Sequence, residues 1–157
     1  MKMLVCTDGS EHSEKALYKA INIAEGCSNI EIAVIHVYEK KPEFPYYPDY
    51  EVGAVTRDNV SKAELERFEE IQKQFEEERE EILNEAAKVF EDKGMRVRKI
   101  LKQGHPSETI LGVAEQEGFD MVVIGSRGLG GLKKLFLGSV SNAVIQQAKD
   151  CIVAVVK

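Results

Sequence analysis

The sequence lacks tryptophan altogether, and its 157 residues include only three cysteines, three histidines and four prolines. The cysteines show no CxxC spacing, and their odd number favours a reducing compartment over a disulfide-bonded secreted protein. Basic residues are the minority, 21 against 27 acidic ones, and the net charge of −6 argues against binding to nucleic acid or an anionic membrane. No apolar run approaches the roughly 20 residues of a membrane-spanning helix, and the opening MKMLVCTDGS becomes polar too early for a signal peptide. We therefore predict a cytoplasmic globular protein without nucleic-acid, membrane or clustered metal sites.

The chain instead shows a regular alternation of two sequence patterns. Short apolar segments rich in β-branched residues predict strands, and apolar residues spaced three or four positions apart predict helices. The predicted strands are MKMLVC, IEIAVIHVYE, MRVRKILK, FDMVVIG and CIVAVV. Four helical crossovers between five strands require parallel pairing. The sequence thus predicts one domain, residues 1–157, with an α/β fold: an open five-stranded parallel sheet, helices on both faces, Rossmann-like.

The apolar spacing also predicts which helical residues are buried. The first helix should bury Ala16, Leu17, Ala20, Ile21 and Ala24 and end near Gly26. The second should run as one amphipathic helix from Ser61 to about Lys93, with an apolar face of Leu65, Phe68, Ile71 or Gln72, Phe75, Ile82, Leu83, Ala86 and Phe90. The third should begin at Pro106 and bury Ile110, Leu111 and Ala114. The acidic run EEEREE in the second helix indicates a solvated face.

Residues 40–60 break the alternation with a long loop that holds three of the four prolines and three of the five tyrosines. Loops of this length in compact domains are usually functional or disordered. Lining a pocket, docking a partner and being a mobile loop all remain open for this segment.

The segment GSRGLGGLKKLFLGSV, residues 125–140, follows a buried strand and carries glycines at 125, 128, 130, 131 and 138. Glycine lets backbone N–H groups approach an anion closely, and Gly138 and Ser139 stand where the last helix begins, with its unpaired N–H groups. Arg127, Lys133 and Lys134 add local positive charge. The segment is therefore either a phosphate cradle or an ordinary turn, with Ser139 as a phosphate donor, a helix cap, or both.

Asp8 follows the first predicted strand, and open parallel sheets bind ligands beyond the carboxyl ends of their strands. Asp8 either caps the first helix, with Glu11 as its capping-box partner, or accepts hydrogen bonds from ribose hydroxyls. His36, in the second strand, is interpreted as a hydrogen-bonded core residue, and the backbone around Val37 could contact an adenine edge.

The spacing Gly125-x-x-Gly128, then nine residues, then Gly138-Ser139 matches the G-2x-G-9x-G-[ST] signature, and the chain resembles the ATP-binding members of the universal stress protein family over its whole length. The resemblance implies the sheet order 3-2-1-4-5 and ATP as ligand, with Mg²⁺ or Mn²⁺ as candidate ions. By position it assigns Asp8 to the ribose and Val37 to adenine. The remaining implied ligand-binding residues are Cys6, Ile124, Gly125, Arg127, Gly128, Gly138, Ser139 and Val140. Cys6 departs from the proline that ATP-binding relatives often carry there, at a position that contributes mainly shape.

The resemblance also implies a homodimer through the last strand, and the apolar, terminal CIVAVV supports it, because an uncovered apolar edge strand invites aggregation.

The leading hypothesis is an ATP-binding stress or signalling module that acts on an unidentified protein partner. The alternative is a slow ATPase or a nucleotide-dependent enzyme completed by that partner; no catalytic residue is assigned. A third hypothesis is a structural dimer with an empty cleft.

Overall fold

The computed structural model describes residues 1–40, 42, 61–129 and 137–157. Within these residues five strands alternate with four helices. The strands are β1 (Lys2–Cys6), β2 (Glu31–Tyr38), β3 (Val97–Gln103), β4 (Met121–Gly125) and β5 (Ile152–Val156). The helices are α1 (Glu11–Glu25), α2 (Lys62–Glu91), α3 (Pro106–Glu117) and α4 (Ser139–Gln147). All strand pairs are parallel and the order is β3-β2-β1-β4-β5, which confirms the predicted α/β fold and sheet order.

The central strand β1 is buried on both faces, as its continuous apolar sequence requires. Met3 and Val5 pack against α1 and α2, whereas Leu4 and Cys6 belong to the core on the side of α3 and α4. Burying each of these aliphatic side chains stabilises the folded state by about 1.5–3 kcal/mol relative to leaving it exposed to water. The sheet therefore lies between two layers of helices, which hold the carboxyl ends of its strands in place from both faces.

Helix α1 is capped by Ser10, whose hydroxyl accepts a hydrogen bond from the Ser13 N–H at 3.3 Å. The alternative in which Asp8 caps this helix with Glu11 as its partner is therefore wrong. Glu11 instead pairs with Lys15 at 2.7 Å, one helical turn later. The predicted buried stripe of α1 and its end at Gly26 are confirmed. Asp8 is left two residues ahead of the cap.

Helix α2 is a single helix, as predicted, and starts with a capping box between Ser61 and Glu64. Its apolar face, however, is buried only near its end, at Leu83, Ala86, Ala87 and Phe90. Leu65 is 37% exposed and Ile71 is 44% exposed, so the core does not cover the apolar face of the first half. The reason is length: 30 residues span about 45 Å, whereas strands of five to eight residues cover about 17–27 Å. No helix in the described parts of the chain has the length and hydrophobicity to cross a membrane.

Helix α3 begins at Pro106 as predicted, but Val113 rather than Leu111 joins Ile110 and Ala114 in the core. Leu111 is half-buried and packs at the margin of that core.

The two edge strands of the sheet differ in character. Strand β3 carries exposed cations among its apolar residues: Arg98 forms an ion pair with Glu117, and the Lys99 ammonium donates to the Asn84 side chain at 2.7 Å. Strand β5 is apolar along its whole length; its first residue, Ile152, is 60% exposed and the others are half-buried. The predicted edge position of both strands is confirmed.

Candidate functional site

A cavity of about 600 Å³ opens at the carboxyl ends of β1, β2 and β4. It lies where the chain order reverses across the sheet, since β1 is flanked by β2 on one side and β4 on the other. All ten residues that the sequence nominated line this cavity: Cys6, Asp8, Val37, Ile124, Gly125, Arg127, Gly128, Gly138, Ser139 and Val140. The structure therefore brings the nominated residues together; their binding roles remain predictions.

The two halves of the glycine segment are joined at their base by Ser126, which is fully buried. The Ser126 carbonyl accepts from the Gly138 N–H at 2.7 Å and from the Ser141 hydroxyl at 3.0 Å. The Ser126 N–H donates to the Val156 carbonyl at 2.6 Å. The start of α4 is thereby tied to the end of β4 and to β5. These contacts keep the helix start and residues 125–129, here called the glycine turn, on one wall of the cavity.

This wall concentrates hydrogen-bond donors. Gly138 precedes α4, and the first amides of a helix, here those of Ser139, Val140 and Ser141, have no carbonyl partner within the helix. The Arg127 Nε is buried and has no hydrogen-bond partner among the described residues. Ser13 and Pro106, from the first turns of α1 and α3, also line the cavity. Such an arrangement favours an anion.

The Asp8 carboxylate also lines the cavity and is itself hydrogen-bonded. Its Oδ1 accepts from the Ser10 N–H at 3.0 Å, and its Oδ2 accepts from the Leu129 N–H at 3.2 Å. The second contact spans 121 positions of the chain and joins the end of β1 to the glycine turn. Asp8 is half-buried, which leaves its carboxylate accessible from the cavity.

One end of the cavity is apolar. It is lined by Cys6, Ile35, Ile110 and Ile124, which belong to one core cluster, and by Val37, which packs against that cluster. Burial, followed by the charge of the neighbouring Asp8, raises the pKa of the Cys6 thiol far above its ordinary value. The thiol is therefore neutral and acts as a small apolar group. This end has the character of a pocket for a flat, uncharged ring.

Two of the glycines are required by close contacts. A Cβ on Gly125 would lie 2.7 Å from the backbone carbonyl atoms of His12 and 2.9 Å from the Ser13 nitrogen. A Cβ on Gly128 would collide with the Asp8 carboxylate. The Gly125 contact joins two backbone segments and allows β4 to pack against α1. The Gly128 contact involves the Asp8 side chain, which lines the cavity.

His36 is a core residue, as predicted, and is 4% exposed. Its Nδ1 lies 2.9 Å from the Thr7 carbonyl, so in the neutral ring this nitrogen donates to that oxygen. Burial lowers the pKa of His36, the hydrogen bond to Thr7 opposes that shift, and the nearby Arg79 contributes to the lowering. The ring is therefore neutral at physiological pH and supports the backbone next to Asp8.

Other residues around the cavity were not predicted. Thr7, Ser13, Ile35, Glu39, Pro106, Ile110, Leu129, Leu137 and Ser141 also line it. Thr7 and Leu129 adjoin nominated residues, so sequence proximity was a usable signal for them. Ile110 was predicted only as a buried helix residue, and nothing in the local sequence marked Glu39 as part of a site. Lys133, Lys134, Gly130, Gly131 and most of residues 40–60 lie outside the described residues.

Comparison with known proteins gives a consistent result. The family model described as "Universal stress protein family" matches residues 1–157. The universal stress protein YxiE of Bacillus subtilis is 33% identical, over 99% of this chain and 98% of that protein. The universal stress protein MJ0577 of Methanocaldococcus jannaschii is 31% identical over 98% of this chain and 93% of that protein. The solved MJ0577 structure covers 99% of this chain and 94% of its own with a TM-score of 0.72.

Two more distant solved structures share the fold with a TM-score of 0.60 each. A universal stress protein from Archaeoglobus fulgidus in complex with dAMP is 19% identical and covers 100% of this chain and 98% of its own. A universal stress protein in complex with cAMP is 24% identical and covers 100% of this chain and 97% of its own. Sequence, fold and site geometry agree: this chain belongs to the universal stress protein family.

Proposed function

We propose that the protein binds ATP in the cavity at the carboxyl edge of the sheet. The observation that carries the proposal is the pairing of a donor-rich wall with an apolar pocket, joined by a carboxylate. The amides at the start of α4 and the Arg127 Nε would hold phosphate oxygens, and Asp8 would accept from the ribose. The apolar end formed around Val37 would hold adenine. The dAMP and cAMP bound by two relatives of the same fold belong to this ligand class.

We favour a binding module over an enzyme. Hydrolysis of ATP requires a positioned water and charge stabilisation at the γ-phosphate. Of the carboxylates lining the cavity, Asp8 is engaged by two backbone amides, and Glu39 is exposed at the end of β2. Among the described residues no group of three or more His, Cys, Asp or Glu side chains is placed to hold a metal ion. Mg²⁺ or Mn²⁺ would then be held mainly by phosphate oxygens and water.

In this function, bound ATP biases the conformation that a protein partner recognises in the cytoplasm, as a nucleotide-dependent stress or signalling module. A slow ATPase completed by that partner is the second candidate. Asp8 favours a nucleotide over a bare anion, because its carboxylate repels an anion but can accept hydrogen bonds from ribose hydroxyls.

The test is the identity of the small molecules that heat releases from freshly purified protein, followed by calorimetric titration with ATP. We expect an adenine nucleotide in the released fraction, saturable ATP binding, and weaker binding of GTP because the apolar end offers no partner for extra polar groups. Steady multiple turnover of ATP by the protein alone would favour the enzyme. If no nucleotide is released and ATP does not bind, the result favours the third hypothesis, a structural dimer with an empty cleft.

We further propose that two copies associate through β5. This strand is apolar and lies at the sheet edge, and pairing with its two-fold mate would cover the exposed Ile152. We expect a dimer by sedimentation at micromolar concentration. Ile152→Lys should weaken the dimer by about tenfold or more, because it removes a buried isoleucine from the interface. Lys102→Glu, on β3 at the opposite edge, is the matched control and should leave the dimer intact. A monomeric wild-type protein would contradict the proposal.

A further inference from the structure

Asp8 makes two hydrogen bonds that no bound nucleotide is needed to explain. Its Oδ1 accepts from the Ser10 N–H at 3.0 Å and its Oδ2 from the Leu129 N–H at 3.2 Å. We call this pair of contacts the Asp8 bridge. It connects the amino-terminal cap of α1 to the glycine turn that follows β4.

The glycine turn is shaped to receive this carboxylate. Gly128 has no side chain, and a Cβ there would overlap the Asp8 carboxylate, so the carboxylate packs directly against the Gly128 backbone. The next residue, Leu129, donates the bridging hydrogen bond although its own side chain is 74% exposed. At its other end the turn is tied to the start of α4 through Ser126. The Asp8 bridge therefore anchors the side of the turn that Ser126 does not reach.

We infer that Asp8 is a positioning residue for the phosphate cradle, in addition to any contact it makes with ribose. The inference rests on the proposed function and extends it. A flexible glycine turn loses much conformational entropy when it closes on an anion, and a turn already held by a charged acceptor loses less. Without the bridge, the turn must be ordered by the ligand.

This role leads to a result that charge alone would not give. A carboxylate next to a phosphate site repels the anion, so on Coulombic grounds its removal should strengthen binding of a phosphate chain. If the carboxylate holds the cradle in shape, its removal should weaken that binding. Inorganic tripolyphosphate separates the two effects, because it has no ribose for Asp8 to contact.

The experiment is calorimetric titration of the full chain with ATP and with tripolyphosphate, for wild type, Asp8→Ala, Gly128→Ala and Glu11→Gln. We expect Asp8→Ala to weaken tripolyphosphate binding by about tenfold, the usual effect of losing a hydrogen bond to a charged group. Gly128→Ala keeps the carboxylate but displaces it, and should give a loss of similar size. Glu11→Gln removes an exposed negative charge of the α1 amino terminus without touching the bridge, and should leave binding unchanged or up to about twofold stronger.

A second readout is hydrogen exchange of the Leu129 amide by NMR in the ligand-free protein. We expect faster exchange in Asp8→Ala than in wild type, and unchanged exchange in Glu11→Gln. Because Gly128→Ala retains the Asp8 side chain, it carries the test if Asp8→Ala fails to fold.

The outcomes separate the inference from the function on which it rests. Wild-type protein that binds neither ATP nor tripolyphosphate overturns the proposed function and the inference with it. ATP binding by wild type together with undiminished tripolyphosphate binding by Asp8→Ala overturns the inference alone. Wild type that binds ATP but not tripolyphosphate also overturns it, because a preformed cradle must hold the phosphate chain without the nucleoside.

Discussion

Gly128→Val is expected to abolish ATP binding while the protein stays folded. The valine Cβ would occupy the space of the Asp8 carboxylate, and its two methyl groups would extend further into the cavity. The substitution therefore breaks the contact between Asp8 and the turn and blocks the ligand at the same time. We expect at least about a hundredfold loss of affinity, equivalent to about 2.7 kcal/mol, measured by calorimetric titration with ATP.

Folding should survive because Gly128 is exposed and the group that the new side chain would displace is a half-buried side chain that lines the cavity. The melting temperature is therefore expected to stay within a few degrees of wild type. The control is an alanine variant that lies outside the cavity. Gly112→Ala, in open space on α3, should bind as wild type does. Wild-type affinity in Gly128→Val would refute the proposed cradle.

Gly125→Ala is expected to damage stability instead. This glycine ends β4, where the strand passes against the first turn of α1, and an added Cβ would lie 2.7 Å from the His12 carbonyl atoms. Backbone atoms on both sides cannot move without disturbing the sheet or the helix. We expect a loss of about 3 kcal/mol in the free energy of unfolding, measured by urea denaturation. For a chain of this length this lowers the melting temperature by about 10 °C.

The matched control is again Gly112→Ala, which adds the same methyl group to a helix where nothing lies within 4 Å. It should raise stability by up to about 1 kcal/mol, because alanine is the better helix former. Unchanged stability of Gly125→Ala would show that α1 can move away from β4 at little cost. Gly125 and Gly128 thus belong to one signature but serve different ends: the first permits the packing of the wall, and the second permits the approach of a charged group.

Much of the fold could be predicted because it depends on local patterns. The strand segments, the four crossovers and the stripe of α1 follow from apolar spacing, and parallel pairing follows from the crossovers. The limits are equally physical. The spacing in α2 shows which of its faces is apolar but not how far the sheet extends beneath it, so the exposure of Leu65 and Ile71 could not be predicted. In the same way Leu111 and Val113 both fit the helical spacing of α3, and only packing decides between them.

The residues that line the candidate site could be predicted from the sequence, but the residues that hold them in place could not. Asp8 and the glycines are visible as polar or flexible residues directly after strands. Ser126 and Ser141 look like ordinary loop and helix serines, and their function as a tie depends on contacts between residues 15 positions apart. The actual cap of α1, Ser10, was not predicted either, because it depends on backbone geometry that places the Ser10 hydroxyl rather than the Asp8 carboxylate over the Ser13 amide.

If two copies associate through β5 as proposed, the charged β3 strand would limit how large the assembly can grow. In a pair joined through β5, the combined sheet would end in β3 on both sides, each presenting Arg98 and Lys99 to the solvent. A further chain that tried to extend the sheet would have to bring its own cations against these and strip water from them. Such a pair would therefore stop at ten strands and would not polymerise into a fibre, even though its sheet would be open at both ends.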